Sequence, residues 1–287
     1  MVNFRGYVRQ TLKRLLPEAV KSVLRDAADL SADSSDWLLG RHDPLTPPRR
    51  LARNVGGDFK RVGENVLQYL VQFGELQPQD AVLDVGCGCG RVAVPLTRYL
   101  NERGSYEGFD VDARAIQWCV RNITPRYPGF HFQAADMYSK RYNPTGKYQA
   151  SEYDFPYGGK TFDCVFLTSV FTHLLPGDVE KYLAEVSRVM KDSGRCLITF
   201  FLLNAESRRL VETGKSPLDF SHDFGKYRLA DPDVPERAVA YEEAFVMELY
   251  EKCGLQVQEP IRYGSWCGRS QALDYQDIIL ASKTRHD

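Results

Sequence analysis

The chain has 287 residues, 43% hydrophobic and 26% charged, with a formal net charge of −1. This is the make-up of a folded domain and excludes a disordered chain; the balanced charge gives no general pull toward nucleic acid, so no nucleic-acid partner is expected. No apolar run is long enough to cross a bilayer, and the N-terminus lacks the apolar core of a secretory signal, so a cytoplasmic protein is expected.

Residues 1–30 carry six Lys/Arg and three Asp/Glu, with Phe4, Val8, Leu12, Leu15, Ala19, Val23 and Ala27 at helical spacing. Pro17 is expected to divide this stretch into two helices. An amphipathic helix here either packs on the rest of the protein or rests on an anionic membrane surface; packing is the favoured expectation. Residues 31–58 are polar and broken by proline, and no regular element is predicted in them. Residues 1–58 are thus an N-terminal helical extension and arm, and 59–287 the main domain. The Val55-Gly56-Gly57 turn either brings backbone close to a ligand or simply leads into a helix predicted over 59–73.

From residue 80 strands and helices alternate. Strands are predicted at 81–85, 105–110, 130–134, 162–168, 195–202, 255–262 and 275–282, and helices at 91–101, 112–122, 178–190 and 240–253. Alternation of this kind predicts an α/β fold, a mostly parallel sheet with helices on both faces. A turn at Lys191-Asp192-Ser193-Gly194 is expected to close the helix before the fifth strand, with Gly194 in the left-handed position after the helix. The last two strands follow one another without a helix, which permits an antiparallel final strand. Residues 137–161 and 203–239 are long connections at the carboxyl ends of strands and are expected to be loops forming a substrate cap.

Seven cysteines, at 87, 89, 119, 164, 196, 253 and 267, show no Cys-x-x-Cys spacing and no histidine pairs at zinc spacing. Reduced thiols and no metal site are expected.

The chemistry centres on Asp84-Val85-Gly86-Cys87-Gly88-Cys89-Gly90-Arg91. An apolar strand runs into glycines at alternate positions and then into a helix. Glycine permits the tight turn, and open N–H groups at the helix start are expected to serve as donors to a ligand. A dinucleotide fingerprint needs glycine at 91, where the chain has Arg91. The turn resembles motif I of the class I S-adenosylmethionine (SAM)-dependent methyltransferases. Asp110, twenty residues after Gly90, ends the second strand. Asp136 follows the third in Ala134-Ala135-Asp136-Met137. The run Phe162 to Leu174 and the strand Arg195 to Phe200 resemble that family's motif IV-to-V region. Together these matches span about residues 59–202 in the family's order.

The resemblance implies a Rossmann-like seven-stranded sheet and SAM as cofactor, with S-adenosylhomocysteine as product. It implies cofactor contacts at Asp84, Gly86, Cys87, Gly88, Gly90, Arg91, Asp110, Ala135, Asp136, Met137, Leu167 and Thr168. In this reading Asp110 takes the ribose hydroxyls and Asp136 the adenine amino group. Asp112 competes with Asp110 but suits a helix cap, and Asp136 equally suits a loop start. Arg91 pairs with the cofactor carboxylate or with a local one. A hydroxyl acceptor calls for a general base, and histidine has the fitting pKa. His173, leaving the fourth strand, is the first candidate, although the same position suits a residue that orients loops. His222 is second and His42 third; His131 lies in a strand and His286 in the tail. Trp266 either lines an acceptor pocket or is a buried core aromatic.

The expected activity is methyl transfer to a hydroxyl of a small molecule or sugar. Alternatives are N-methylation of a small amine, an NAD-dependent oxidoreductase and a non-catalytic SAM-binding protein. Leu167-Thr168-Ser169-Val170-Phe171 stands where protein- and DNA-amine methyltransferases carry Asn/Asp-Pro-Pro-Tyr, which speaks against those two.

Overall fold

The computed structural model describes residues 17–140 and 142–284. Phe4, Val8, Leu12, Leu15 and His286 lie outside the described residues. The chain divides into two compact units, residues 1–59 and 60–287. No helix among the described residues is long and apolar enough to cross a membrane.

In the first unit, α1 (Glu18–Leu38) begins directly after Pro17, and α2 (Arg49–Asn54) follows. The expectation of no regular element in 31–58 is therefore corrected. Its Ser and Asp residues are poor helix formers alone. Asp26, Asp29, Asp33 and Asp36, however, recur on one face of α1 and meet the arginines of α2. Arg49 binds Asp33 at 2.6 Å and Asp36 at 2.5 Å, and Arg53 binds Asp26 at 2.8 Å and Asp29 at 2.5 Å. Gly40, at φ 65°, ends α1.

The second unit takes up within α3 (Phe59–Gln72). In chain order come β1 (Ala81–Val85), α4 (Ala93–Tyr99), β2 (Ser105–Asp110), α5 (Ala113–Asn122), β3 (Phe130–Ala134), β4 (Phe162–Leu167), α6 (Pro176–Val189) and β5 (Met190–Phe200). The main sheet is completed by β10 (Leu255–Arg262) and β11 (Asp277–Lys283), in the order β10-β11-β5-β4-β1-β2-β3. β11 runs antiparallel to both its neighbours, and the pairs formed among β1 to β5 are parallel. This is the Rossmann-like seven-stranded arrangement, with an antiparallel last strand, that the resemblance implied. Central strands carry apolar residues on both faces because helices cover both; Leu83, Val165, Ile198 and Ile279 are all fully buried.

Asp112 caps α5, its carboxylate accepting from the backbone of Arg114 at 3.0 Å and Ala115 at 3.4 Å. The turn expected at 191–194 is instead an irregular start to β5, where pairing shifts from Phe162–Met190 to Cys164–Arg195. Gly194 is not left-handed; a side chain there would meet the Lys191 carbonyl at 2.8 Å.

The largest correction concerns 203–239, which is not a loop. It supplies most of a second, four-stranded sheet in the order β6-β9-β8-β7: β6 (Leu202–Leu203), β7 (His222–Asp223), β8 (Tyr227–Leu229) and β9 (Val239–Glu242). Helix α7 (Ala205–Glu212) lies between β6 and β7, and α8 (Glu243–Lys252) follows β9, so the helix expected from 240 starts three residues later. These strands have two to four residues, too short for an alternating pattern to stand out. Leu202, Leu229, Val239 and Tyr241 join the main core, and Leu203 and Ala240 pack in a second cluster with Phe201, Leu210, Phe220 and Trp266. Among its described residues the 137–161 connection carries a single-turn helix at Ala150–Glu152 and two isolated bridges, Met137–Tyr148 and Ser139–Asn143. It is tied down by the buried Glu185, which accepts from the Phe155 backbone at 2.7 Å.

Candidate functional site

The glycine turn leaves β1 and is fastened to the end of β2. The N–H groups of Gly86 and Cys87 both donate to the Phe109 carbonyl, at 2.9 and 3.1 Å. Gly88 donates to Asp110 Oδ2 at 2.8 Å, and Gly90 to the Cys87 carbonyl at 3.0 Å. These amides are thus consumed within the protein. The expectation of open N–H donors therefore falls on the amides at the helix start and not on these four. Gly86, Gly88 and Gly90 all have positive φ, of 79°, 51° and 75°, the backbone region where a Cβ is costly. A Cβ on Gly86 would also lie 2.5 Å from Val170 Cγ2. The turn therefore rests against the chain leaving β4.

Two further glycines, missed in the sequence, make room for this turn. A Cβ on Gly108 would lie 3.0 Å from the Cys87 side chain and 2.9 Å from the Tyr106 hydroxyl. One on Gly63, inside α3, would lie 2.3 Å from the Arg91 carbonyl. Glycine within the amphipathic helix Phe59–Gln72 was the available signal, since it weakens a helix unless close approach requires it.

Two carboxylates sit at the turn in different environments. Asp84 is 1% exposed; its Oδ2 accepts from the Tyr106 hydroxyl at 2.8 Å, and its Oδ1 is buried with no hydrogen-bond partner. Desolvation pushes its pKa up to about 8, against the Tyr106 hydrogen bond and the Arg91 charge and with the help of Asp110. Asp110 is half-buried and accepts from Gly88 through Oδ2 and from the Asp112 backbone through Oδ1, each at 2.8 Å. Burial raises its pKa too, with those two backbone bonds opposing. Each oxygen retains a second lone pair for a hydroxyl donor.

Ala135 follows β3 and donates its N–H to the Asp110 carbonyl at 2.9 Å, so the strand ends carrying Asp110 and Asp136 are adjacent. Asp136 is exposed and pairs with Lys147 Nζ at 3.3 Å. Its carbonyl accepts from the backbones of Lys147 and Tyr148, which fixes the 137–161 connection to it. Cys87, Met137 and Leu167 are buried, and the Met137 sulfur accepts from the Tyr182 hydroxyl at 3.0 Å. Thr168, at the end of β4, is half-buried.

The chain leaving β4 is strained at Ser169, a non-glycine residue with φ 59°. Thr199 on β5 accepts from its backbone N–H at 2.8 Å, and Gln276 accepts from its hydroxyl at 3.0 Å. Phe171–His173 then forms a single helical turn. His173 Nδ1 lies 2.8 Å from the Glu236 carbonyl oxygen. A carbonyl only accepts, so Nδ1 carries the proton and Nε2 is the basic nitrogen. Glu236 sits in the turn Pro235–Arg237, between β8 and β9. Its side chain accepts from Ser139 Oγ at 3.3 Å and from the Lys140 backbone at 3.4 Å. Both long connections therefore meet beside His173. Tyr241 of β9 adds a bond from its hydroxyl to the Leu174 carbonyl.

The other histidines stand elsewhere. His222 is exposed on β7, the outer strand of the small sheet, with β8 between it and β9. His42 belongs to the first unit, and His131 is an exposed partner of Glu107 at 2.9 Å. Trp266 is fully buried, and its indole N–H donates to Asp277 at 2.6 Å; it is a core aromatic and does not line a pocket.

Residues 82–194 match the family described as methyltransferase domain. Over 119 residues the chain is 28% identical to a probable cobalt-precorrin-6B C(15)-methyltransferase (decarboxylating) of Thermoplasma acidophilum, spanning 40% of this chain and 51% of that protein. The chain thus spans about half the length of that relative. The fold is similar to the PH0226 protein of Pyrococcus horikoshii, with a TM-score of 0.52 at 18% identity, covering 78% of this chain and 90% of that one. It is also similar to the 1,6-didemethyltoxoflavin-N1-methyltransferase of Burkholderia thailandensis, with a TM-score of 0.50 at 17% identity, covering 94% and 91%. That structure holds S-adenosylhomocysteine.

Proposed function

We propose that this chain is a class I SAM-dependent methyltransferase, a reading supported by the family match over residues 82–194 and by the fold, and that it transfers a methyl group from SAM to a hydroxyl of a small-molecule or sugar acceptor, with His173 as general base. The observation that carries the reading is the bond between His173 Nδ1 and the Glu236 carbonyl. It favours the tautomer in which Nδ1 carries the proton and Nε2 is basic, in the segment leaving β4 whose Val170 packs on the glycine turn.

The turn suits the cofactor. Its glycines take the left-handed backbone that lets the turn pack closely against Val170, Ile123 and Cys119, and beside it Asp84 Oδ1 is buried with no hydrogen-bond partner among the described residues. When bound, SAM supplies a methyl carbon already activated by its sulfonium. Asp110 would hold the ribose hydroxyls, and Asp136 the adenine amino group after exchanging its exposed pair with Lys147, a weak contact. Arg91 would face the cofactor carboxylate. Backbone at Cys87, Ala135, Met137, Leu167 and Thr168 would complete the pocket, because most of these side chains are spent in the core. The small sheet and the 137–161 connection would form the acceptor cap, excluding water and orienting the hydroxyl. His173 would take the hydroxyl proton on Nε2 as the oxygen–methyl bond forms, with S-adenosylhomocysteine as the leaving group.

An N-methyltransferase is the second reading, since the similar Burkholderia protein carries that description; a neutral amine needs no base. Turnover of His173→Ala separates the two once an acceptor is in hand. A hydroxyl acceptor predicts a fall in kcat of about 100-fold or more with loss of the acidic limb of the pH profile. Near-normal kcat across pH removes the base and favours the amine.

A further inference from the structure

Helix α1 is amphipathic the wrong way round for a folded unit. Its polar side is the covered one: Asp26, Asp29, Asp33 and Asp36 are half-buried against α2. Its apolar side is bare. Val20, Val23, Leu24, Leu30, Trp37 and Leu38 recur at helical spacing and all are exposed, Trp37 at 66% and Leu38 at 76%. A stripe of this kind marks a surface that meets a partner. Charge and shape select which. The chain ahead of α1, residues 1–16, carries Arg5, Arg9, Lys13 and Arg14 and no acidic residue. A cluster of cations beside an amphipathic helix complements anionic headgroups. The aspartates that such a surface would repel lie away from the stripe, and each is neutralised. Arg49 takes Asp33 and Asp36, Arg53 takes Asp26 and Asp29, and Arg50 adds a pair with Asp26 at 3.4 Å. Helix α2 thus removes the charge that would bar α1 from an anionic surface.

The middle of the stripe holds Ala27, Ser31 and Ser34. These are too small to interlock with a second helix, which needs bulky apolar side chains at successive turns. Fluid lipid needs no matching shape. The Ser34 hydroxyl donates to the Leu30 carbonyl at 2.8 Å, so it brings no unmet donor to an apolar phase. We propose that α1 is a membrane-surface anchor. It lies in the headgroup plane of an anionic bilayer, its stripe among the upper acyl chains and Trp37 at the boundary, while the cations of residues 1–16 neutralise lipid phosphates. The contact is peripheral, since no helix among the described residues is long and apolar enough to cross a membrane. It goes beyond the methyl-transfer reading and does not depend on it.

The test is co-sedimentation of the full chain with two kinds of vesicle at low salt. One is phosphatidylcholine alone, the other equal parts of phosphatidylcholine and phosphatidylserine. Expected is binding about ten-fold or more tighter to the anionic vesicles, with a blue shift of tryptophan fluorescence that Trp37→Phe abolishes. Leu24→Glu combined with Leu38→Glu places carboxylates in the stripe and should weaken binding by about 100-fold. Both positions are exposed, so circular dichroism should show an unchanged fold. Should that variant not fold, vesicle binding and the Trp37 shift in the unaltered chain still decide. No binding to anionic vesicles, equal binding to both kinds, or binding without the Trp37 shift overturns the proposal. Binding that the folded double variant retains also overturns it, because charge alone would then hold the chain. So does a dimer in lipid-free sedimentation velocity that the double variant abolishes, because a second copy then covers the stripe.

Discussion

Replacing Asp277 with Asn should unfold the protein far more readily than its conservative shape suggests. Asp277 is fully buried at the start of β11. Its Oδ2 accepts from the Leu202 backbone at 2.7 Å and from Trp266 Nε1 at 2.6 Å. Its Oδ1 accepts from the Gly264 backbone at 2.6 Å and from Arg269 Nη1 at 3.4 Å. Every neighbour is a donor. An amide must turn its NH2 toward one pair, so two bonds become donor-to-donor contacts. At about 1–3 kcal/mol for each buried group left unmade, the cost is about 3–5 kcal/mol. For a chain of this size that lowers Tm by roughly 10 °C. Trp266→Phe is the internal comparison: it removes one donor and leaves Leu202 on Oδ2, so its hydrogen-bond loss should be about 1–2 kcal/mol. Urea unfolding followed by circular dichroism gives both values. A loss below about 1 kcal/mol for Asp277→Asn, or equal losses for the two variants, refutes the donor count.

Gly86→Ala combines a left-handed backbone with a clash on Val170 and should weaken S-adenosylhomocysteine binding by about ten-fold or more. Adding Val170→Ala should recover part of that loss but not all, because the φ strain remains; independent effects in calorimetry would show that the turn and the β4 exit do not touch. Asp110→Ala removes the proposed ribose acceptor and the Gly88 anchor together. Affinity for the same ligand should fall at least ten-fold, and an unchanged Kd would withdraw the ribose assignment.

What the sequence made legible follows periodicity and local chemistry. The strands β1 to β4 and the Asp112 cap were readable because each is written in neighbouring residues. So was the glycine turn, although its readable part was the backbone shape and not the fate of its amides, which depend on Phe109 and Asp110 across the sheet. The small sheet was hidden because its strands are too short for a pattern, and the cluster that takes in Leu203 and Ala240 borrows Trp266 from a distant link. Asp277 looked like an ordinary strand residue; its donors come from positions 202, 264, 266 and 269. In the second half of α1, from residue 31, the local polarity pointed away from a helix, and the arginines that compensate it lie beyond a proline-rich turn. His173 was found by its place after β4, but its partner is a main-chain carbonyl, which no residue type announces.

That last contact separates what mutation can alter from what it must preserve. Any amino acid at position 236 offers a carbonyl to His173, so the orientation of the imidazole is insured against drift in the identity of that residue. It is exposed to drift in the path of the backbone. A deletion between β8 and β9 would disturb the ring without touching a single proposed contact of the cofactor. Homologous chains that change acceptor by remodelling this segment would therefore have to conserve its course beside position 173 while varying almost everything else in it.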